Sequence, residues 1–193
     1  MITKQKNGNE IFSFTGNNTE YKLIDFWKWS VSDLLSNTTR GILAEYIVAL
    51  AMNIDLSNVR QEWSSFDLET KEGIKIEVKS SAYLQTWLQK DNSKILFSIK
   101  QSCCWNSETN KMSKTKTRPS DVYVFCLLNH KEKSTVNPLK LEQWSFYIVS
   151  TKKINKIFGN KSSMRLKTLE EITESVNFDK LQERIKEEYS KHK

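Results

Sequence analysis

The residues with the clearest chemical potential are Asp67, Glu77 and Lys79, which lie in the stretch FDLETKEGIKIEVKSS (residues 66–81). Carboxylate oxygens are the ligands that hard divalent cations take in proteins, and a neighbouring ammonium stabilises developing negative charge. A solvated hairpin face carries the same residue types, because antiparallel sheets commonly keep polar side chains on the side facing water. The relative positions of these side chains therefore have to distinguish a metal site from an ordinary polar surface.

The elements around these residues predict that they lie together. The sequence predicts a strand over residues 61–68 and a second strand over residues 74–81, joined by a tight turn. Because strand side chains alternate, Glu77 and Lys79 share one face and lie about 7 Å apart along it. If the two strands pair, Asp67 lies beside this face.

A third carboxylate, Glu45, lies in a predicted helix whose other positions from 41 to 52 carry no charge. A helix that is apolar all round is buried, and a lone carboxylate inside it is costly unless it is paired, protonated or bound to a cation. Two explanations stay open, an ion pair with Arg40 or another basic side chain, and a bound cation. The residues that offer an N-cap for this helix are Asn37, Thr38 and Thr39.

The remaining patterns predict an α/β fold. Alternation or continuous apolar runs predict further strands over residues 93–102, 121–128 and 144–150. Helical spacing predicts helices over residues 23–35, 150–160 and 168–193. This order is typical of a mixed central β-sheet flanked by helices. We expect one domain over residues 1–193, with residues 1–20 loosely ordered or at a sheet edge and a core over roughly residues 38–150.

Composition favours a protein with a polyanionic partner and argues against a membrane-spanning or disulfide-rich secreted protein. The chain has 193 residues and a net charge of +7, which favours a polyanionic partner. It contains no apolar run of about 18 residues that would predict a membrane span, and its first residues lack the apolar region of a secretory signal. Its three cysteines show no CxxC spacing, which argues against a disulfide framework. We therefore expect a cytoplasmic protein in a reducing compartment.

The sequence resembles the PD-(D/E)XK nuclease superfamily in three features. These are Asp67, the Glu77-Val78-Lys79 triplet ten positions later, and a preceding helix with Glu45. The resemblance covers roughly residues 38–128 and departs from the family pattern in having Phe66, not Pro, before Asp67. It implies a restriction-endonuclease-like core of the αβββαβ type.

The resemblance also implies roles for the site residues. Asp67 and Glu77 are the expected ligands of a Mg²⁺ ion, for which Mn²⁺ is the expected substitute, and the backbone carbonyl of Val78 is the third ligand. Lys79 is expected beside the attacking water, and Glu45 as an outer ligand or at a second ion.

The predicted nucleic-acid contacts lie mainly in a basic, polar stretch between residues 106 and 120, for which we expect a flexible loop. The basic residues in question are Lys111, Lys114, Lys116 and Arg118. Gln101 and Ser81 are further candidates, although each also fits a strand-end residue that faces solvent.

These inferences predict a Mg²⁺-dependent endonuclease that hydrolyses double-stranded DNA, most specifically a type II-like restriction endonuclease acting as a homodimer. A repair or junction-resolving nuclease of the same fold is an alternative that shares the whole site. A catalytically silent nucleic-acid-binding module and a basic scaffold in a protein complex are alternatives from other classes.

Overall fold

The chain is described by a computed structural model that defines residues 4–62, 64–106 and 111–191, and all of their side chains except those of residues 104–106. The described part does not include residues 1–3, 63, 107–110 and 192–193. Several of the predicted segments contain some of these residues. The helices are α1 (Leu23–Val31), α2 (Asn37–Ala51), α3 (Thr151–Phe158), α4 (Leu166–Glu170) and α5 (Leu181–Ser190). The strands are β1 (Ile11–Phe14), β2 (Asn17–Lys22), β3 (Leu68–Glu69), β4 (Lys75–Ala82), β5 (Leu96–Ser98), β6 (Ser102–Asn106), β7 (Lys111–Thr117), β8 (Val122–Leu128), β9 (Trp144–Ser150), β10 (Ser163–Arg165) and β11 (Ser175–Val176).

A five-stranded mixed sheet forms the centre of the fold, with the strand order β11-β9-β8-β4-β3. β4 runs parallel to β8, with Glu77 beside Tyr123, whereas the neighbours β3–β4, β8–β9 and β9–β11 are antiparallel. Helices cover this sheet, so the predicted α/β class with a mixed central sheet flanked by helices is confirmed. None of the helices in the described part of the chain combines the length and apolar character needed to cross a lipid bilayer.

The two faces of the sheet carry separate cores. On the first face, Ile76 and Val78 of β4 pack with buried residues of two helices, namely Ala44, Ile47 and Val48 of α2 and Leu181 and Ile185 of α5. On the second face, Tyr123, Phe125 and Leu127 of β8 pack with Phe97 of β5, Ile154 of α3 and Met164 of β10. Each fully buried side chain of this kind contributes about 1.5–3 kcal/mol, and burial on both faces explains the continuous apolar sequence of β8.

Helix α2 begins earlier than the sequence predicted, with its N-cap one to three residues before the predicted positions. The N-cap is Ser36, whose hydroxyl accepts a hydrogen bond from the backbone N–H of Thr39 at 3.3 Å. Prediction of the N-cap at Asn37, Thr38 or Thr39 was therefore wrong, because these residues already belong to the first turn. The serine hydroxyl satisfies one of the four free N–H groups at the helix start.

Several predicted strands and helices have different bounds. β3 has two residues, not the eight predicted over residues 61–68, because its pairing with β4 does not extend beyond Leu68 and Glu69. The strand predicted over residues 93–102 is reduced to β5, which pairs with β10 outside the central sheet. The helix predicted from residue 168 is interrupted, since the hydroxyl of Thr173 donates to the carbonyl of Ile148 and the chain then pairs with β9 as β11.

An N-terminal unit consists of the hairpin β1–β2 and helix α1, where loose order or a sheet edge was expected. Thr15 and Gly16 join the two strands, and both have positive φ values, of 49° and 83°, as a two-residue type I′ turn requires. α1 has no buried residue. The large apolar side chains that this unit exposes are Ile11, Phe12, Phe14, Tyr21, Phe26, Trp29 and Val31.

Arg118 is a buried structural residue, which corrects its predicted place in a flexible basic loop. Its side chain is 6% exposed, and its Nε donates to the carbonyl of Ile99 at 2.7 Å. Its Nη1 donates to Asn155 Oδ1 and to the carbonyl of Gly159 at 2.9 Å, and its Nη2 to the carbonyl of Lys161 at 3.0 Å. Arg118 therefore joins the residue after β5 to α3 and the turn that follows it.

Replacement of Arg118 tests this structural role. We expect Arg118→Met to lower the free energy of unfolding by about 3 kcal/mol, because several buried acceptors lose a charged donor. The matched control Lys116→Met, at an exposed position of β7, should change it by less than about 0.5 kcal/mol. Urea unfolding followed by circular dichroism measures both, and equal losses would contradict the structural role.

Candidate active site

Asp67 lies at the point where the pairing of β3 with β4 ends. Its backbone N–H donates to the carbonyl of Ile76 at 3.1 Å, which continues the antiparallel pairing by one bond. Its carboxylate Oδ2 then accepts the backbone N–H of Val78 at 2.7 Å. A side chain therefore takes the place of a backbone carbonyl at the sheet edge and holds the carboxylate there with a charge-assisted hydrogen bond.

Glu77 and Lys79 extend from β4 on the second face of the sheet, as alternation predicted. Lys79 Nζ lies 2.5 Å from Glu77 Oε1 and 4.0 Å from Asp67 Oδ2. The other Glu77 oxygen, Oε2, accepts a hydrogen bond from the hydroxyl of Ser120 at 3.1 Å. One ammonium thus lies between two carboxylates, both of which are mostly shielded from solvent.

The electrostatics of Glu77 differ from those of a surface carboxylate. Burial raises the pKa of Glu77 above its ordinary value, and the charge of Asp67 adds to this effect. The ammonium of Lys79 and the hydrogen bond from Ser120 act in the opposite direction without cancelling it. Burial and the Glu77 charge also raise the pKa of the neighbouring Tyr123. A further positive charge at this position would therefore be favourable.

A cavity of about 720 Å³ gives access to these residues. Asp67 and Glu77 line it together with Phe66, and the opposite wall comes from Cys103 and Met112 of the hairpin β6–β7. The hairpin was not predicted, since the polar sequence of β7 fits a loop equally well. A cavity of this size has room for a nucleotide unit beside the two carboxylates.

Glu45 has a different environment from the other predicted site residues. Its carboxylate forms two hydrogen bonds with Arg60, from Nε at 2.5 Å and from Nη2 at 2.7 Å, so its basic partner is not Arg40. The hydrogen bond to Glu45, together with the charge of Asp67 among others, raises the pKa of Arg60. Glu45 and Asp67 line a second cavity, of about 490 Å³, and α2 packs on the sheet face opposite to Glu77.

Three carboxylates consequently do not meet at one point. Among the described residues, no group of three or more histidine, cysteine, aspartate or glutamate side chains is arranged to hold a metal ion. The structure brings together Asp67, Glu77 and Lys79, and it places Glu45 in an ion pair with Arg60. Any cation at the site would thus have two carboxylates within reach and would need other oxygen ligands.

The backbone of Val78 is oriented toward the same edge as Asp67. In an extended strand, the N–H and the C=O of one residue point to the same side. Because the N–H of Val78 donates to Asp67, the carbonyl of Val78 also faces the edge that β3 leaves open. This orientation is the one that the predicted backbone ligand requires.

The residues predicted to contact nucleic acid differ in their exposure to solvent. Lys111, Lys114 and Lys116 are exposed on β7. Alternation places Lys114 and Lys116 on the same face as Met112, which lines the cavity. Ser81 follows Glu77 and Lys79 on the second face of β4, and Gln101 is half-buried just before β6. Arg118 is unavailable for phosphate binding because its guanidinium is bonded inside the protein.

Ser120 and Arg60 were missed in the sequence, although each contacts an acid of the site. The signal for Ser120 was its position two residues before the apolar run of β8. In a parallel pairing with β4, that position lies near Glu77. The sequence of residues 53–66 offers no periodicity that would have predicted the position of Arg60.

The raised pKa of Glu77 can be measured directly. We expect the carboxyl carbon of Glu77 to titrate above the ordinary range of glutamate, and Lys79→Met to raise this pKa further, because the ammonium of Lys79 lowers it. Lys75→Met, two positions from Glu77 on the same strand, serves as the matched control and should leave the pKa nearly unchanged. ¹³C NMR titration measures all three proteins, and a lower pKa in Lys79→Met would contradict the assignment.

The same shift has a consequence for stability. A carboxyl whose pKa is raised in the folded state stabilises the protein most below its unfolded pKa, and this contribution is lost as the pH rises through the folded pKa. We therefore expect Glu77→Gln, which cannot ionise, to gain stability relative to the unsubstituted protein between about pH 4 and pH 7. Urea unfolding at both pH values measures the difference, and a relative loss at pH 7 would contradict it.

Comparison with known proteins identifies the family. The family model described as bacteriophage T4 endonuclease IV matches residues 5–186, which is nearly the whole chain. No curated protein matches the sequence. Because the match extends from the N-terminal unit through α2, the sheet and most of α5, it includes every residue of the site described above. The chain belongs to the bacteriophage T4 endonuclease IV family.

Proposed function

We propose that this endonuclease-family protein hydrolyses phosphodiester bonds of DNA in a Mg²⁺-dependent reaction, with Asp67, Glu77 and Lys79 as its catalytic residues. The observation that carries the proposal is the ammonium of Lys79 lying between the carboxylates of Asp67 and Glu77, both of which line an accessible cavity. Phosphodiester hydrolysis requires a hard cation near the phosphate and a positioned water, and this residue set can provide for both.

The residues present fit a Mg²⁺ ion in three respects. Both carboxylates supply oxygen ligands, and the carbonyl of Val78 faces the same edge. Burial, which raises the pKa of Glu77, disfavours its charged form, and a divalent ion beside the carboxylate would offset that penalty. Lys79 Nζ already occupies the position of a cation between the acids. A bound Mg²⁺ would polarise the phosphate oxygens and lower the pKa of a coordinated water.

The chain's own groups would then prepare the reaction. The N–H of Val78 fixes the carboxylate of Asp67, and the hydroxyl of Ser120 fixes that of Glu77, so neither acid has to be ordered on substrate binding. With Glu77 engaged by a metal ion, Lys79 would be free to hold the attacking water and to stabilise charge on the phosphate oxygens. The water oxygen would bond to phosphorus and lose a proton to solvent, while the bond to the leaving sugar oxygen would break and that oxygen would take a proton from solvent.

The finer assignment, to the PD-(D/E)XK superfamily and its restriction-endonuclease-like core, remains part of this proposal. It is supported by α2, by the antiparallel pair β3–β4, with Asp67 directly before β3 and Glu77-Val78-Lys79 on β4, and by the parallel neighbour β8. The third strand of the expected order lies outside the central sheet. We propose a type II-like restriction enzyme, with a repair or junction-resolving nuclease and a silent DNA-binding module as the alternatives.

Substitution of the two central residues tests catalysis. We expect Asp67→Asn and Lys79→Met each to lower the rate of DNA cleavage in Mg²⁺ or Mn²⁺ by about 10²-fold or more, because a metal ligand or a charge-stabilising donor is lost. Glu69→Gln, an exposed position on β3, is the matched control and should cleave at the normal rate. Duplex and single-stranded substrates are assayed by single-turnover kinetics on denaturing gels.

Three results would contradict the proposal. Equal cleavage by all four proteins would exclude this site, and metal-dependent DNA binding without any cleavage would favour the silent module. Full activity in EDTA would exclude the metal.

We further propose that the predicted homodimer forms through the N-terminal unit of β1, β2 and α1. Its aromatic side chains are strongly exposed, with Phe14 at 76% and Trp29 at 84%. Five of the seven exposed apolar side chains of this unit are aromatic, and aromatic side chains, which bury about 150–250 Å² each, dominate interface energetics. An isolated two-stranded hairpin is also only marginally stable without a partner.

Charge favours a second copy of the chain over nucleic acid as the partner of this unit. Residues 1–36 contain four basic and four acidic residues, so the net charge of +7 belongs entirely to the rest of the chain. A neutral aromatic surface is typical of protein interfaces, whereas nucleic-acid surfaces are positively charged.

The dimer is tested by its response to polar substitution. We expect the unsubstituted protein to sediment as a dimer and Phe14→Ser/Trp29→Ser to sediment as a monomer with an unchanged unfolding midpoint of the core. The control is Leu88→Ser/Leu139→Ser, which removes two exposed apolar side chains elsewhere and should stay dimeric. Analytical ultracentrifugation at micromolar concentration distinguishes the species, and a monomeric unsubstituted protein would refute the interface.

A further inference from the structure

A further cavity, of about 980 Å³ and separate from the two described above, lies at the carboxyl end of β4. Its lining includes Tyr83, which directly follows this strand, and four basic side chains, Lys94, Lys131, Arg165 and Lys167. These side chains come from three separate regions of the chain that folding brings to one place. We refer to it as the basic cavity.

The charges of the basic cavity are not neutralised by acids. In the parts of the chain that the structure describes, no ion pair within 4.0 Å involves any of its four basic residues. Lys131 instead lies over the ring of Tyr83, with Nζ 4.5 Å from the ring centre. A nearby acid, Glu170, accepts a hydrogen bond from the hydroxyl of Tyr147 at 3.2 Å. Four cations around one concave surface favour an anionic ligand.

The basic cavity lies on the same face of the sheet as the candidate active site. Tyr83 packs against the second core, which also contains Tyr123 and Phe125, the β8 partners of Glu77 and Lys79. Tyr83 lies four positions after Lys79, so these two residues are about 13 Å apart along the direction of β4. For a duplex whose axis follows β4, with a rise of about 3.4 Å per nucleotide, this spacing corresponds to about four nucleotides.

We infer that the basic cavity binds backbone phosphates of the DNA substrate, about four nucleotides to one side of the bond that is cleaved. This inference rests on the proposed function for the identity of the reaction, although the binding itself does not require cleavage. Phosphate contacts set the register of a protein on nucleic acid without reading its sequence. The cavity therefore orients the strand along β4 so that one phosphate reaches Asp67, Glu77 and Lys79.

The salt dependence of DNA binding tests the inference. The triple variant Lys131→Gln/Arg165→Gln/Lys167→Gln is compared with Lys180→Gln/Lys186→Gln/Lys191→Gln, which removes the same charge from α5, on the opposite face of the sheet. Fluorescence anisotropy with labelled duplex in EDTA gives the dissociation constant at several salt concentrations. We expect the slope of log K against log salt to fall by about one for each lost phosphate contact in the cavity variant, and to stay nearly constant in the control.

Substrate length provides an independent measurement. Duplexes that extend fewer than about four nucleotides from the cleaved bond on one side should bind the unsubstituted protein and the cavity variant equally, whereas longer duplexes should bind the unsubstituted protein more tightly. Equal salt slopes for the two triple variants would overturn the inference. So would loss of inorganic pyrophosphate binding in the cavity variant without a change in DNA binding, because the cavity would then be a small-anion site.

The outcomes separate this inference from the proposed function. If the unsubstituted protein binds DNA with the expected slope but never cleaves it, the cavity inference stands and the catalytic proposal fails. If cleavage depends on Asp67 while the cavity variant keeps the full salt slope, the catalytic proposal stands and the cavity inference fails.

Discussion

The hydrogen bond from the N–H of Val78 to the carboxylate of Asp67 determines how the site is built. Beyond Leu68, β3 no longer pairs through its backbone carbonyls, and this side chain satisfies the next donor of β4. The backbone pairing ends here, and the carboxylates of Asp67 and Glu77 line a cavity beside this edge of β4. Sheet edges with free polar groups normally require protection, and here the edge is lined by charged side chains instead.

Burial of both sheet faces gives this edge its unusual electrostatics. Because β4 lies next to the fully buried strand β8, Glu77 extends into a partly dehydrated position, and its pKa is raised. Lys79 compensates part of the charge at 2.5 Å. The ammonium of Lys79 does not fully offset the effect of burial on Glu77. This suits a carboxylate that would exchange one cationic partner for another during a reaction. The same face of the sheet continues to the basic cavity. In the proposed mechanism, strand β4 therefore connects the cleavage site to the site that binds the DNA phosphates.

Local patterns predicted the parts of the structure that local physics determines. Alternation in β4 correctly placed Glu77 and Lys79 on one face, and the apolar runs correctly predicted β8 and β9. Arg118 and Glu45 depended on contacts with distant residues, Gly159 and Arg60, which no local pattern reveals. The polar sequence of β7 was equally compatible with a loop, because Met112 is its only apolar residue.

The proposed mechanism requires Asp67, Glu77 and the carbonyl of Val78 to hold one divalent cation. A crystal structure of the protein grown with Mn²⁺, with anomalous scattering used to locate the metal, would show whether they do. We expect a peak about 2.0–2.2 Å from one oxygen of each of these three groups, with the ammonium of Lys79 displaced from Glu77. A manganese ion bound only elsewhere, or Lys79 still between the two acids with no metal present, would contradict it.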